Sequence, residues 1–187
     1  MLAPLVIDDN FHRFYTEHVA RDFPPDEVPD EKGLRMLLQN RVYDGYLRVG
    51  EDGSTEGYAL LGRQHGFAFL FLYAVEPQLR GQGVGSAFMR ELFELCADDD
   101  FIVLEVERPE CAKDAAELAV RERRIRFYRH LGYEICRKVD YSVYHVPMWL
   151  MAKPLGRAEQ PSPSELAAAM RKAYSHAKGL PLTTNLI

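Results

Sequence analysis

The residues most able to do chemistry form a glycine-rich loop: Arg80, Gly81, Gln82, Gly83, Val84, Gly85 and Ser86. The loop stands between an apolar run, Phe67 to Val75, and an amphipathic helical pattern. Because glycines place no Cβ atoms in the way, several backbone N–H groups can converge where the helix begins. Arg80 adds a forked cation that suits phosphate oxygens. We therefore predict a site for a pyrophosphate or a phosphate ester.

The same loop resembles the acyl-CoA-binding signature of the GNAT superfamily of acetyl-CoA-dependent N-acetyltransferases. The resemblance rests on Arg80-x-x-Gly83-x-Gly85, which follows a strand pattern ending in Val75-x-Pro77 and precedes a helix. It implies that the loop amides hold the pyrophosphate of coenzyme A and that acetyl-CoA is the acetyl donor.

The resemblance extends to the elements on either side of the loop. It implies that Ser86 is the first helical residue. It also implies that three residues at the strand end bind the pantetheine arm and polarise the thioester carbonyl through their backbone: Tyr73, Ala74 and Val75. A backbone N–H aimed at developing negative charge is the usual source of electrostatic stabilisation in acyl transfer.

A second matching feature is the segment 126–133, in which Phe127-Tyr128 is followed by Gly132-Tyr133. It looks like the late helix and turn of the family, and this likeness implies that Tyr128 is the general acid beside the thioester sulfur. A proton donor suits the chemistry because the departing thiolate needs a proton. The alternative is that Phe127 and Tyr128 are core residues of an ordinary amphipathic helix.

Two carboxylates in the strand pattern Phe101 to Glu107 are candidates for the general base. Glu105 and Glu107 alternate with apolar residues and so lie on one strand face. Burial raises the pKa of a carboxylate towards the range useful for deprotonating an amine. We name both and prefer Glu105, which lies deeper in the run. The alternatives are that Glu107 is solvated or pairs with an arginine of the late helix, and that the proton leaves through a water relay.

The acceptor side is predicted from charge and from the resemblance. In the family, the loop between the first two helices lines the acceptor, and here residues 23–27 carry carboxylates that could attract a cationic amine. The alternative is a solvated acidic loop in which Asp30 caps a helix. Residues 141–147 could form the opposite wall. The basic run 121–129 could reach the ribose 3′-phosphate of coenzyme A, although most of its members should be solvated.

Hydrophobic periodicity predicts an order of elements that fits this resemblance. Helices are predicted over 9–21, 30–40, 86–97, 123–130 and 162–176. Strands are predicted over 5–7, 45–49, 57–63, 67–75, 101–107, 133–144 and 148–153. Residues 108–120 read as a loose polar segment, either loop or short helix. The predicted fold class is α/β (α+β): a GNAT-like acyl-CoA N-acyltransferase fold with a mixed, twisted sheet and helices on both faces.

Two regions are predicted: an acetyltransferase domain over 1–154, and a C-terminal helical extension and tail over 155–187. A serine cap, a proline and a glutamate mark the start of the extension's helix: Ser162, Pro163 and Glu165. Its apolar stripe consists of Leu166, Met170 and Tyr174. This stripe could pack on its own domain, dock a partner or be exchanged within a homodimer.

Charge and composition narrow the function classes. The net charge of −5 weighs against nucleic-acid binding, and no apolar stretch is long enough to span a bilayer. The N-terminus lacks the basic region of a signal peptide. Three widely spaced cysteines without CxxC spacing predict reduced thiols in a cytoplasmic protein, and neither disulfides nor a metal site: Cys96, Cys111 and Cys136.

The predicted function is transfer of an acetyl group from acetyl-CoA to a primary amine of a small molecule or a protein, by direct attack on the thioester. One alternative is a non-catalytic acyl-CoA-binding sensor or scaffold. Another is a dinucleotide-binding enzyme, because the glycine loop follows a strand and an acidic residue, Glu105, lies near the expected distance. However, Ser86 replaces the third glycine of that fingerprint, and such a strand usually begins its domain.

Overall fold

The structure, a computed structural model, describes residues 1–25, 27–64, 66–143 and 146–175. Within these residues, seven strands form one sheet in the order β1-β2-β3-β4-β5-β7-β6. The strands are β1 (Leu2–Pro4), β2 (Asp44–Val49), β3 (Thr55–Gln64), β4 (Phe67–Val75), β5 (Phe101–Glu107), β6 (Glu134–Val143) and β7 (Val146–Pro154). The β4–β5 pair is parallel and the other pairs are antiparallel, so the sheet is mixed.

Helices cover both faces of this sheet. They are α1 (Phe11–Phe14), α2 (Ala20–Asp22), α3 (Glu31–Gln39), α4 (Val84–Leu95), α5 (Ala115–His130) and α6 (Pro163–Ser175), with a π-helical segment, Tyr15–Val19, joining α1 to α2. One hydrophobic core lies between the sheet and α1, α3 and α6, and a second lies between the sheet and α4 and α5. The predicted fold class is therefore confirmed.

The central strand β4 belongs to both cores. Phe67 and Phe69 pack into the first core, whereas Ala68 and Leu70 pack into the second. Burial of both faces explains why this strand reads as a nearly continuous apolar run. The bounds predicted for β4 and β5 agree with those of the structure.

Pairing between β4 and β5 stops halfway along the two strands. Its register runs from Phe67 opposite Phe101 to Leu70 opposite Leu104. On the other side of β4, the register with β3 slips between Leu70 and Leu72, so Phe71 is an extra residue that forms a bulge. From this bulge onwards the two strands diverge, and the described residues place no strand between them. The sheet therefore contains an opening with backbone groups along the C-terminal half of β4.

The first strand differs from its prediction. Residues 5–7 were expected to form it, but β1 is Leu2–Pro4, which pairs with residues 46–48 of β2. Leu5 extends this contact by a single hydrogen bond, in which its N–H donates to Gly45 O over 2.8 Å. The position of a three-residue edge strand is set by its pairing with the neighbouring strand. The strand's own hydrophobic pattern does not indicate this register.

Two helix starts were also predicted wrongly. Helix α4 begins at Val84, two residues before Ser86, because Gly83 is its N-cap. Helix α5 begins at Ala115, well inside the segment expected to be loose. Asp114 caps α5 by accepting a hydrogen bond from Glu117 N over 2.8 Å. The segment is polar but rich in good helix formers, so helical propensity prevails where no apolar stripe marks the helix.

The C-terminal helix α6 packs on its own domain. The predicted cap is present: Glu165 N donates to Ser162 Oγ over 3.3 Å, and Ser162 N donates to Glu165 Oε2 over 2.7 Å. Five residues of α6 are buried: Leu166, Ala169, Met170, Ala173 and Tyr174. Of the alternatives for this helix, packing against the sheet is the one that the structure shows. The apolar tail predicted over 180–187 lies outside the described residues.

A buried carboxylate ties the first helical segment to the end of β4. Glu76, which is 6% exposed, accepts hydrogen bonds from both terminal nitrogens of Arg21 over 2.8 and 3.0 Å. His18 Nδ1 lies 2.7 Å from Glu76 Oε1, one of the two oxygens that Arg21 contacts. Burial opposes ionisation of Glu76, but these hydrogen bonds outweigh it, so its pKa lies below the ordinary value.

We expect Glu76→Gln to lower the free energy of unfolding by about 1–3 kcal/mol at pH 7, because it removes the charge that Arg21 and His18 contact. The pKa of Glu76 is lower in the folded state than in the unfolded state. Its contribution to the free energy of unfolding is therefore complete above the unfolded-state pKa of about 4.3 and is lost as the pH falls through the folded-state pKa. Denaturant unfolding at several pH values measures this difference. Glu94→Gln, at an exposed helix position, is the control; equal effects from the two variants would contradict the prediction.

Candidate active site

The glycine loop forms an open cradle at the N-terminus of α4. Gly81 and Gly83 have positive φ angles of 78° and 84°, a region that residues with a side chain rarely adopt. A Cβ atom built on either glycine meets no described atom within 4 Å. Backbone conformation therefore favours glycine here, and no described atom crowds these positions at the start of the helix, where an anion can approach the backbone amides. The residues present thus fit a phosphate group.

The end of the loop packs tightly against β4 and α5. A Cβ atom on Gly85 would lie 3.4 Å from Phe127 Cζ, from Tyr73 Oη and from Val75 Cγ2. The hydroxyl of Tyr73 donates to Gly85 O over 2.6 Å. The structure therefore brings together the strand end and the loop, as the sequence predicts for Tyr73, Val75 and Gly85.

Arg80 braces the loop against the rest of the domain. Its Nε donates to Val75 O over 2.9 Å, and its Nη2 donates to Asp22 Oδ1 over 2.8 Å. Asp22 also accepts hydrogen bonds from Arg21 and Tyr58. The sequence indicated Arg80 as a phosphate ligand but gave no signal for Asp22, which lies 58 residues away in the chain.

The other predicted loop residues have distinct positions. Gln82 Nε2 donates to Gln78 O over 2.7 Å, which closes the loop on the preceding turn. Val84 is the first residue of α4, and Ser86 is the third. Ala74 is buried in β4 next to Val75. Each of these residues therefore borders the cradle or the strand that leads to it.

Tyr128 is buried on the α5 side of the opening. Its ring lies 5.2 Å from that of Phe127 and 5.5 Å from that of Tyr133, and the ring of Tyr73 stacks on Phe127 at 6.3 Å. Burial raises the pKa of Tyr128 to about 12, although Arg124 opposes the shift. The side chain therefore keeps its proton at neutral pH. Among the described residues, no group forms a hydrogen bond with its hydroxyl.

Glu105 has an environment unlike that of any other carboxylate described. Burial raises its pKa to about 7, although hydrogen bonds from Tyr141 and Tyr174 oppose the shift. The Tyr174 hydroxyl lies 2.8 Å from Oε1 and 2.9 Å from Oε2, and the Tyr141 hydroxyl donates to Oε1. A carboxylate with a pKa near 7 can accept a proton and release it again at neutral pH.

Glu107 is held by two arginines of α5. Its Oε1 accepts from Arg121 Nη2 over 2.8 Å, and its Oε2 accepts from Arg124 Nη1 over 2.9 Å. Arg121, which is 5% exposed, also donates to Glu117 over 2.7 Å. The alternative in which Glu107 pairs with an arginine of the late helix is therefore confirmed.

A cavity of about 90 Å³ lies where β4 and β5 diverge. It is lined by Phe23, Glu27, Phe71, Leu72, Glu105, Glu107, Arg124, Val143, Val146, Met148 and Tyr174. The loop expected on the acceptor side and the wall expected opposite it both contribute to this cavity. Tyr174, from α6, was not predicted at the site, since the apolar stripe of α6 indicated only that this residue is buried.

Parts of the predicted acceptor side have other roles or cannot be described. Asp30 caps α3 by accepting from Gly33 N over 2.8 Å, which confirms its capping alternative. Asp26, Tyr144 and His145 lie outside the described residues.

In the part of the chain that the structure describes, no three His, Cys, Asp or Glu side chains form a group able to hold a metal ion. Nor does any helix there have the length and apolar character needed to cross a membrane.

Comparison with known proteins agrees with this geometry. The model of the acetyltransferase (GNAT) domain matches residues 42–135, and the chain therefore belongs to the GNAT acetyltransferases. A candidate GNAT-family acetyltransferase from Bacteroides thetaiotaomicron has a similar structure, with 25% identity, a TM-score of 0.73, and coverage of 96% of this chain and 99% of that chain. No curated protein matches the chain.

Two further solved structures share the fold at lower identity. An aminoglycoside 6′-N-acetyltransferase in complex with coenzyme A is 16% identical, with a TM-score of 0.62 over 87% of this chain and 99% of that chain. The ribosomal-protein-S18-alanine N-acetyltransferase from Escherichia coli is 21% identical, with a TM-score of 0.56 and the same coverages. The mixed sheet and its flanking helices are thus the GNAT fold.

We expect Gly83→Glu to weaken acetyl-CoA binding by at least about 100-fold, because it places a carboxylate in a cradle suited to phosphate, and juxtaposed like charges cost several kcal/mol. Titration calorimetry with acetyl-CoA measures the change. Gly53→Glu is a matched control, since Gly53 has a φ of 82° and equally open surroundings but lies in the β2–β3 turn. Binding by Gly83→Glu as tight as that of the control would refute the assignment of the loop.

Proposed function

We propose that the protein transfers an acetyl group from acetyl-CoA to a primary amine by direct attack of the amine on the thioester. The observation that supports this most is the continuity of β4, which runs from the cavity at Phe71 to the glycine loop beyond Val75. Four residues of extended chain separate these points by about 13 Å. One strand therefore connects a cradle for phosphate with a cavity that contains a carboxylate.

The donor would be held along this half of β4. The amides of residues 80–86, together with the positive end of the α4 dipole, would bind the pyrophosphate. The backbone of Tyr73, Ala74 and Val75, on the β4 edge that no longer pairs with β5, would bind the pantetheine arm and polarise the carbonyl. When bound, acetyl-CoA supplies an activated acetyl group. Arg80, which is anchored on Asp22, would keep the loop in position for these contacts.

Three proton transfers accompany the reaction. Glu105, in its ionised form, would accept one proton from the acceptor ammonium, so that the amine nitrogen can bond to the acetyl carbon. After this attack the nitrogen carries a positive charge and would lose a second proton to solvent. As the carbon–sulfur bond breaks, Tyr128 would donate its proton to the sulfur and recover one from solvent, while Glu105 releases its proton to solvent. The net change is an amide, a thiol and one proton released. Glu107 is the weaker candidate for the base, because each of its carboxylate oxygens already accepts a hydrogen bond from an arginine of α5.

The remaining assignments are supported by composition and packing. We propose residues 1–154 as the acetyltransferase domain and 155–187 as an extension whose helix packs on it. We propose a cytoplasmic setting, supported by the odd number and wide spacing of the cysteines: Cys96, Cys111 and Cys136. Of the alternative functions, a dinucleotide-binding enzyme is not retained, because the chain belongs to the GNAT family.

The experiment that tests the donor is titration calorimetry of the full chain with acetyl-CoA, with NADH as the control. We expect acetyl-CoA alone to bind. Thiol release is then measured with a panel of amines: an alkyl diamine, an aminoglycoside and a peptide with N-terminal alanine, the last two because of the structural neighbours. Binding of NADH in place of acetyl-CoA would refute the proposal, and binding without acetylation of any amine would favour the sensor.

We expect Tyr128→Phe to lower turnover by about 100-fold or more, with little change in acetyl-CoA affinity, because it removes the proton donor and leaves the cradle intact. Steady-state kinetics and calorimetry measure the two quantities. Tyr133→Phe is the control, since it removes a neighbouring buried hydroxyl whose hydrogen bond is to Met89 Sδ. Unchanged turnover in Tyr128→Phe would exclude this residue from the mechanism.

We also expect kcat/KM to fall as the pH drops below about 7, because Glu105 must be ionised to accept a proton. Glu105→Gln should lose this pH dependence and at least about 99% of the activity at pH 8. Glu107→Gln serves for comparison, because it removes a carboxylate of the same cavity. A larger loss in Glu107→Gln than in Glu105→Gln would reverse the order of the two candidates.

A further inference from the structure

The hydrogen bonds around Glu105 come from the C-terminal part of the chain. Tyr174 belongs to α6 and Tyr141 to β6, and both side chains are almost fully buried, at 7% and 1% exposure. Their hydroxyls converge on the same carboxylate from two different elements. Both tyrosines lie beyond residues 42–135, the region that matches the family model. The two donors therefore come from the part of the chain that follows the matched region.

The two hydroxyls hold the carboxylate in one orientation. Oε1 of Glu105 accepts from both tyrosines, whereas Oε2 accepts from Tyr174 alone. A carboxylate oxygen can accept more than one hydrogen bond, so Oε2 retains the greater capacity to receive a proton. Tyr174 also lines the cavity in which Glu105 lies. The same side chain thus contacts the carboxylate and borders the space proposed for the acceptor.

Helix α6 is fixed firmly enough to position a side chain. Leu166 and Met170 are fully buried in the first core, and the Tyr174 ring lies 5.6 Å from that of Phe69 in β4. The capping box holds the start of α6, and Arg157 donates to Glu165 over 2.7 Å. Because Tyr174 has only two rotatable side-chain bonds and a packed ring, its hydroxyl position follows from that of the helix.

We propose that Tyr174 and Tyr141 are positioning residues that orient Glu105 as a proton acceptor, which makes α6 a working part of the acceptor site. This inference rests on the proposed role of Glu105 as the base. Loss of either hydroxyl removes a donor that stabilises the ionised carboxylate and leaves the half-buried Glu105 with less compensation. Its titration then moves to higher pH.

Other ionisable groups described near Glu105 have positions that differ from those of the two tyrosines. Glu107 on the same strand face is paired with Arg121 and Arg124 of α5. Glu27 of the loop after α2 borders the same cavity, and Tyr43, after α3, lies close enough to Tyr141 and Tyr174 to influence their titration. Among the described residues, the hydrogen bonds to the Glu105 carboxylate come from the two tyrosines.

The test is a ¹³C NMR titration of glutamate side-chain carboxyls in the full chain, in which the Glu105 signal is assigned as the one missing from Glu105→Gln. We expect the midpoint near pH 7 in the parent protein to rise by at least about half a pH unit in Tyr174→Phe and in Tyr141→Phe. Tyr133→Phe removes a buried hydroxyl that hydrogen-bonds Met89 and not Glu105, so it should leave the Glu105 midpoint unchanged. Equal midpoints in all four proteins would overturn the inference.

Activity gives a second readout that separates the two proposals. With the panel amine that is turned over, the acid limb of kcat/KM for Tyr174→Phe should move upwards with the NMR midpoint, and activity should recover at higher pH. A loss that is the same at every pH would indicate a purely structural role and would contradict the inference. If Glu105→Gln retains its activity, the proposed base is wrong, whatever the midpoints show. If Tyr174→Phe does not fold, Tyr141→Phe provides both readouts.

Discussion

The structure depends above all on the point where β4 and β5 stop pairing. Parallel strands would ordinarily continue side by side, but the Phe71 bulge turns β4 away after Leu70, while β5 continues along β7 up to Glu107. The divergence leaves strand backbone without a partner in the middle of an otherwise paired sheet. Unpaired backbone groups are costly when buried, so this opening suits an extended ligand that satisfies them. The glycine cradle and the carboxylate cavity occupy its two ends.

Three glutamates near this opening show how packing sets the behaviour of one side-chain type. Glu76 and Glu107 are both paired with arginines. Glu105 receives only neutral hydroxyls among the described residues, so burial dominates and its pKa rises. The first two therefore stabilise the fold, whereas the third is able to exchange a proton. Glu105 and Glu107 lie on the same strand, so the difference between them arises from their partners: tyrosine hydroxyls of β6 and α6 for Glu105, and arginines of α5 for Glu107.

Local patterns predicted the parts of the site that are continuous in the chain. The glycine loop and strands β4 and β5 were visible because their signals, glycine spacing and dense apolar runs, lie within a few residues. The start of α5 was missed because a polar helix has no apolar stripe, and β1 was misplaced because its partner sets its register. The contact of Tyr174 with Glu105 spans 69 residues, and periodicity shows which residues face inwards without showing what they meet. The π-helical segment Tyr15–Val19 was likewise not predicted, because hydrophobic periodicity does not distinguish it from an α-helix.

The position of α6 in the chain has a consequence for biosynthesis. Every strand and the glycine loop precede it, so a ribosome completes the cleft before it delivers Tyr174. Contacts between distant residues tend to form late, since loop closure must come first. A nascent chain that has emerged only through β7 would hold the sheet with part of one face still uncovered and with Glu105 held by Tyr141 alone. Folding of α6 would then complete maturation, because it supplies the second hydroxyl that contacts the carboxylate.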